Sequence, residues 1–274
     1  PVHAARTLSL IILNDNHVAA EVAWSGAAGG KWTDIANWAG GAFPQAGDAV
    51  TITAGNSQSI TLGLTPPDLA SFSIGNTGGG TTKLRLSNWS TCVRANAITV
   101  NNGGVICVEN AFTDEQMSNR VWLAGQTLTV NAGGKILADQ AGYAKRNGPA
   151  WVGATEIAHQ ICNSARIEFG GAYGGEQGYP TDDGRDWALI PPHSYGSAEA
   201  PLDPGSGGGE SAGGGAIRLD FTGDVVIDGL ISAAGQTLNT GGPGSGGAVY
   251  INCRTVSGSG EVKANGRDAT LTTS

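Results

Sequence analysis

Charge is scarce in this chain. Asp, Glu, Lys and Arg make up 14% of its 274 residues, against roughly a quarter in ordinary soluble domains. Lys and Arg total 15 against 23 Asp and Glu, for a net charge of −8, and no basic cluster stands in the sequence. A surface for the phosphate backbone needs clustered cations, so nucleic acid is not expected as a partner. Long apolar runs are missing too. The longest, LSLIIL at 8–13, falls far short of the roughly 20 residues that cross a bilayer as a helix, so no membrane span is expected. The four cysteines, Cys92, Cys107, Cys162 and Cys253, form no CxxC and no haem-attachment pair. They allow three disulfide pairings between which sequence cannot choose, or stand as four thiols; two bridges would suit a secreted protein. His3, His17, His159 and His193 are scattered, and the H-x-x-C of His159 and Cys162 lacks the other ligands of a closed zinc site.

What is present is glycine, 45 residues of it, and a repeat. AITVNNGGVICVE (97–109) is answered by TLTVNAGGKILAD (127–139); GGAIRLD (214–220) returns as GGAVYIN (246–252), and GLISAAG (229–235) as GEVKANG (260–266). Each unit is two short period-2 strands broken at Gly. A repeat of about 30 residues marks a stacked architecture in which no unit buries its apolar face alone. Three strands and three bends fit that length, and Gly supplies the positive φ that sharp bends need. The expected fold is all-β, a right-handed parallel β-helix (β-solenoid) of about 30 residues per coil; a propeller blade needs about 40.

Alternation assigns the faces. Lys135 and Asp139 oppose Ile136 and Ala138; Arg218 and Asp220 oppose Ile217 and Leu219; Glu261 and Lys263 oppose Val262 and Ala264. The charged members face solvent, and the apolar ones form the core. The same parity places Ile98, Val100, Ile106, Val108, Leu128, Val130, Val249 and Ile251 inside. Residues 1–23 lie outside the repeat as an N-terminal arm, and 24–274 form one solenoid domain. Within it, 142–213 break the pattern as a loop excursion, where long irregular stretches tend to carry function.

At 24–52 the order W-S-G, K-W-x-D, A-N-W, G-G, P and G-D-x-V-x-I, carried by Trp24, Trp32, Asn37, Trp38, Pro44, Gly47 and Asp48, resembles a module of secreted bacterial surface proteins of autotransporter and adhesin type. The Gly-rich tail resembles β-solenoid repeats of similar proteins. The resemblance implies an extracellular right-handed β-helix. It implies no single activity, because that group holds adhesins, matrix proteins and parts of polysaccharide-active proteins.

Several motifs carry candidate chemistry. Gly209-Glu210-Ser211-Ala212-Gly213 spells G-x-S-x-G, but a hydrolase elbow needs a strand before and a helix after it, and no helix signal follows. Glu176, Asp182, Asp183 and Asp186 could supply hard oxygens to Ca²⁺ or form a solvated acidic turn; calcium is the one cofactor suggested. Glu109 and Asp139 fall one coil apart, near the spacing of a glycosidase pair, though outward charges are usually solubilising. Tyr173, Tyr179, Trp187 and Tyr195, in the excursion, either pack the loop down or contact carbohydrate. Asn88-Trp89-Ser90 matches a glycosylation sequon.

The reading that follows is a structural, non-enzymatic, extracellular protein: a surface, matrix or filament subunit. The last repeat stops uncapped, and an open solenoid end exposes unpaired strand groups. The arm offers a spare apolar strand through Leu8, Leu10, Ile11, Ile12 and Leu13. An open end and a spare strand together favour head-to-tail association of the chain with itself, which generates fibres. A carbohydrate-binding adhesin module that contacts extracellular polysaccharide is the alternative, and a polysaccharide lyase or hydrolase comes third.

Overall fold

The structure, a computed structural model, describes residues 17–26, 29–108, 110–113, 117, 120–149, 194–209, 211–236 and 243–266. Among them the chain forms strands, one 3-10 turn (Ile35–Asn37) and no α-helix. The first sheet runs through β1 (Glu21–Ala23), β3 (Ala49–Ala54), β5 (Leu69–Asn76), β7 (Val93–Val100), β9 (Val121–Val130), β11 (Ala216–Phe221) and β14 (Ala248–Asn252). β12 (Asp224–Ile227) also joins it beside β9, and β15 (Thr255–Ser257) beside β12. The second sheet runs through β2 (Gly29–Lys31), β4 (Gln58–Leu62), β6 (Thr82–Leu86), β8 (Gly104–Val108), β10 (Lys135–Leu137), β13 (Leu230–Ser232) and β16 (Glu261–Lys263). Every strand pair in both is parallel.

Each sequence repeat is a pairing in space. Ala97 lies beside Thr127, Ile106 beside Ile136, Ala216 beside Ala248 and Leu230 beside Glu261. The step between neighbours is less regular than the repeat. It ranges from 22 residues (Ala49 to Ser71) to 32 (Ala216 to Ala248), and between Val121 and Ile217 the whole excursion intervenes. The expectation of three strands per turn holds only for the last two layers. There the long strand of the first sheet is divided, β11 from β12 at Thr222-Gly223 and β14 from β15 at Cys253-Arg254; β7 and β9 run unbroken over the same span. Two parallel sheets result.

The interior is a set of apolar ladders. In the first sheet Val50, Phe72, Ile98, Leu128 and Val225 stack in register, and in the second Ile60, Leu84, Ile106, Ile136 and Ile231 do. All ten are fully buried. Each such side chain contributes about 1.5–3 kcal/mol relative to exposure, which explains why Val, Ile, Leu and Phe at every second position define these strands. The inward parity is met wherever another layer follows. It fails at the last layer: Val262 is 47% exposed, and Val249 and Ile251 are only partly buried. Alternation sets direction, while burial needs a neighbour on both sides.

The described parts of the excursion, 142–149, 194–209 and 211–213, are not a loop laid on the outside. They interlock with one another and with 233–236 and 243–247 through backbone hydrogen bonds: Gly142 N to Gly213 O (2.9 Å), Gln236 N to Ala212 O (2.9 Å) and Ser245 N to Ser206 O (3.1 Å). Side chains are excluded there. A Cβ on Gly207 would sit 1.9 Å from Ala144 O, and one on Gly246 1.8 Å from Ala264 O. The tract PGSGGG is therefore a packing motif, and its glycines are needed because backbone meets backbone.

Candidate functional site

Three places could carry function: the two ends of the stack and the outer face of the first sheet. At the first end, the residues of the W…W…N-W…P…G-D module build a cap. Trp24 and Trp38 form an antiparallel bridge. Ser25 N donates to Asn37 O (2.8 Å) and Ala39 N to Ala23 O (2.9 Å), so residues 37–39 occupy the outer edge of β1. Asn37 Nδ2 donates to Lys31 O (3.3 Å), covering part of β2. The rings of Trp24 and Trp38 meet edge-on at 5.0 Å, those of Trp32 and Trp38 at 4.7 Å, and Trp32 lies 6.3 Å from Phe72 of the core ladder. Buried indole N–H groups need acceptors. Trp24 Nε1 finds Gln58 Oε1 at 2.9 Å and Trp38 Nε1 finds Trp32 O at 2.8 Å.

Asp48 locks the cap to the stack. Its buried carboxylate accepts from Ala20 N (2.8 Å), Gln45 N (2.8 Å) and His17 Nε2 (2.7 Å). Burial alone would raise the carboxyl's pKa, but the two amide bonds and His17 together outweigh it and hold the group below the usual carboxylate range. Gly47 turns the chain into this position at φ +84°, a conformation that favours glycine.

The last end has no such cover among the described residues. β14, β15 and β16 each pair on one side only. Both core ladders arrive there on valine: Val225 is followed by Val256, 57% exposed, and Ile231 by Val262. Asp224 pairs with Arg254 (2.8 Å), and Cys253 lies beside them half-buried.

On the outer face of the first sheet, Trp122, Arg218 and Tyr250 stand in one register row; Arg94, Ala124, Asp220 and Asn252 form the next. Three guanidiniums gather on the rings here. Arg120 lies 4.5 Å from the centre of Trp122 and 4.7 Å from that of Trp89; Arg218 is 4.7 Å and Arg94 5.4 Å from Trp122. Such contacts are worth about 0.5–2 kcal/mol each. Asp220 is the carboxylate of the group; Arg218 Nε donates to it at 2.5 Å and Trp122 Nε1 at 2.9 Å. Burial, with Arg218 alongside, pushes the Arg120 pKa down. Cys92, beneath them, is pushed up to about 11, chiefly by burial, so it is a protonated thiol at neutral pH. No basic run announces this cluster, since its members sit before or on three strands far apart in sequence. The parallel stacking alone gathers them.

The other expected sites divide as follows. The arm residues Leu8 to Leu13, the acidic group Glu176, Asp182, Asp183 and Asp186, the rings of Tyr173, Tyr179 and Trp187, and Cys162 and Glu109 lie outside the described residues. Among the described residues no three His, Cys, Asp or Glu gather to hold a metal, and no helix is long and apolar enough to cross a membrane. Tyr195 is used internally: its hydroxyl donates to Pro204 O (2.5 Å) and accepts from Ser206 Oγ (3.0 Å). Asp139 accepts from Ser232 Oγ and Ala234 N, which makes it a turn clamp between coils. Cys92 and Cys253 stand as thiols in the structure. Ser211 is buried in the glycine interlock with no helix after it, and the G-x-S-x-G spelling makes no elbow. A groove of about 690 Å³ runs along one corner past Asn76, Asn101, Asn131, Asp228 and Ser259. Its amides are satisfied along the ladder, with Asn131 Nδ2 on Asn101 Oδ1 at 2.9 Å and Asn101 Nδ2 on Ser73 Oγ at 3.0 Å.

Comparison of the chain with family models, with curated proteins and with solved structures gives no match.

Proposed function

We propose that this chain is an extracellular structural protein, a right-handed parallel β-helix with coils of about 30 residues, as between Ala97 and Thr127, that assembles with copies of itself through its last end. The observation that carries the reading is the pair of core ladders that finish on exposed Val256 and Val262, on strands paired along one edge only among the described residues. A strand edge with apolar side chains beside it is a template for another strand. The Trp cap on β1 works against simple edge-to-edge stacking of one first end on one last end. The strand supplied is therefore the apolar arm of a second copy, Leu8, Leu10, Ile11, Ile12 and Leu13, added to the last layer by strand addition. Because the donating and accepting surfaces differ, the contact is heterologous and propagates.

Light scattering and negative-stain microscopy test this. The full chain is expected to form polymers of uniform width as concentration rises. Deletion of residues 1–16, which leaves the Trp cap and His17 intact, is expected to leave monomers. Polymers that persist after that deletion contradict the arm's role.

A further inference from the structure

We propose that the outer face of the first sheet holds an oxyanion-binding site centred on Arg120 and flanked by Arg94 and Arg218, which takes a carboxylate, sulfate or phosphate-ester group. Three guanidiniums converge on Trp122 within 5.4 Å, in a chain that holds only 15 basic residues and carries a net charge of −8. Asp220 is already engaged by Arg218 and by the Trp122 indole. It can balance one cation, and among the described residues two positive charges are left without a carboxylate.

Arg120 gives the site its centre. Its residue is 8% exposed, yet its Nε has no hydrogen-bond partner. A guanidinium has five in-plane N–H donors and no acceptor, and a buried donor left unmade is costly. The rings of Trp89 and Trp122 engage the guanidinium through their π-systems, which satisfies its charge in part but accepts none of the in-plane N–H bonds well. An oxyanion does both at once, since it matches the fork of donors and supplies the missing charge. The second buried, unpartnered side-chain atom among the described residues is Thr91 Oγ1. It stands two positions from Trp89, on the segment that leads to Cys92 and Arg94. Tyr250, in register beyond Arg218, extends the row outward and would lie beside whatever carries the charged group.

The site is independent of assembly through the last end. The test uses the whole chain and follows the Arg Nε–H resonances while inorganic sulfate, D-glucuronate or a galacturonate oligomer is added at fixed ionic strength, with chloride as control. Sulfate is expected to shift the Arg120 signal saturably while chloride does not. Arg94→Gln, a change at the part-exposed rim, is expected to weaken sulfate at least threefold with the thermal midpoint retained. Arg120→Gln, if it folds, is expected to abolish the saturable response. An oligomer that binds at least tenfold more tightly than glucuronate identifies an acidic polysaccharide as the source of the anion; equal affinities identify a small free anion. A sulfate response no different from chloride, or one unmoved by Arg94→Gln, overturns the proposal.

Discussion

The two ends of the stack are built from the same kind of strand and are finished in opposite ways. At the first end a turn of residues 32–39 folds back, occupies the free edge of β1 and lays Trp32 and Trp38 beside Trp24 over the core. At the last end the ladders stop on valines, and no described residue covers them. Parallel stacks must solve the edge problem at both ends, because each coil hands its unpaired groups to the next. The difference teaches that edge protection in this fold is a local device with its own residues. It is not a property of the repeat.

The sharpest way to break the comparison is to remove the cap. Trp32→Ala is expected to lose about 3–5 kcal/mol, the range for truncating a large buried aromatic, whereas Val262→Ala at the other end is expected to change stability by less than about 0.5 kcal/mol. Urea denaturation of the two variants checks both numbers. Next comes the lock beneath the cap. Asp48→Ala leaves the Ala20 and Gln45 amides without their acceptor and is expected to cost about 1–3 kcal/mol. The Asp48 carboxyl has a folded pKa below its unfolded value. The stability it supplies is thus complete above the unfolded value, near pH 4, and is lost as pH falls through the folded value. Asp48→Asn is expected to flatten that acid limb in thermal midpoints measured between pH 2 and 5.

Smaller effects separate stability from assembly at the last end. Val256→Asp is expected to leave the monomer's thermal midpoint within about 2 °C of the parent, since surface changes stay near 0.5 kcal/mol, while sedimentation shows loss of polymer. The same change one layer in, Val225→Asp, buries a charge and is expected to prevent folding. Arg254→Ala removes the exposed ion pair with Asp224 and is expected to leave the thermal midpoint unchanged, because solvent screens such pairs. Its carboxyl partner, now held low by hydrogen bonds from Arg254 and Thr255, would then titrate closer to the usual carboxylate range by NMR.

The ladders were legible because alternation is a local property: Ile98, Leu128 and Ile136 announce their direction within five residues of sequence. The exposure of Val262 was not, because GEVKANG reads like GLISAAG and differs only in having no layer beyond it among the described residues. The Trp, Asn and Asp positions of the first end could be picked out as a module by resemblance. Their work as an edge cap could not, since it depends on Ala39 meeting Ala23 across a turn. The arginine cluster left no trace in the sequence at all. Arg218 reads as an ordinary outward charge, Arg94 stands just before the quoted repeats, and Arg120 precedes its strand; only the stacking of β7, β9 and β11 makes them neighbours. The glycine tract read as a decorated loop because composition cannot distinguish a flexible glycine from one pressed against another backbone.

The claim that one end is closed and the other receives a strand is tested most directly by amide hydrogen exchange of the full chain at low and high protein concentration. Amides of β1 and β2 are expected to be protected equally at both. Those of β14, β15 and β16 are expected to exchange fast when dilute and to gain protection at least tenfold as concentration rises. Protection at the last end that is already high when dilute, or that does not change with concentration, would contradict the account.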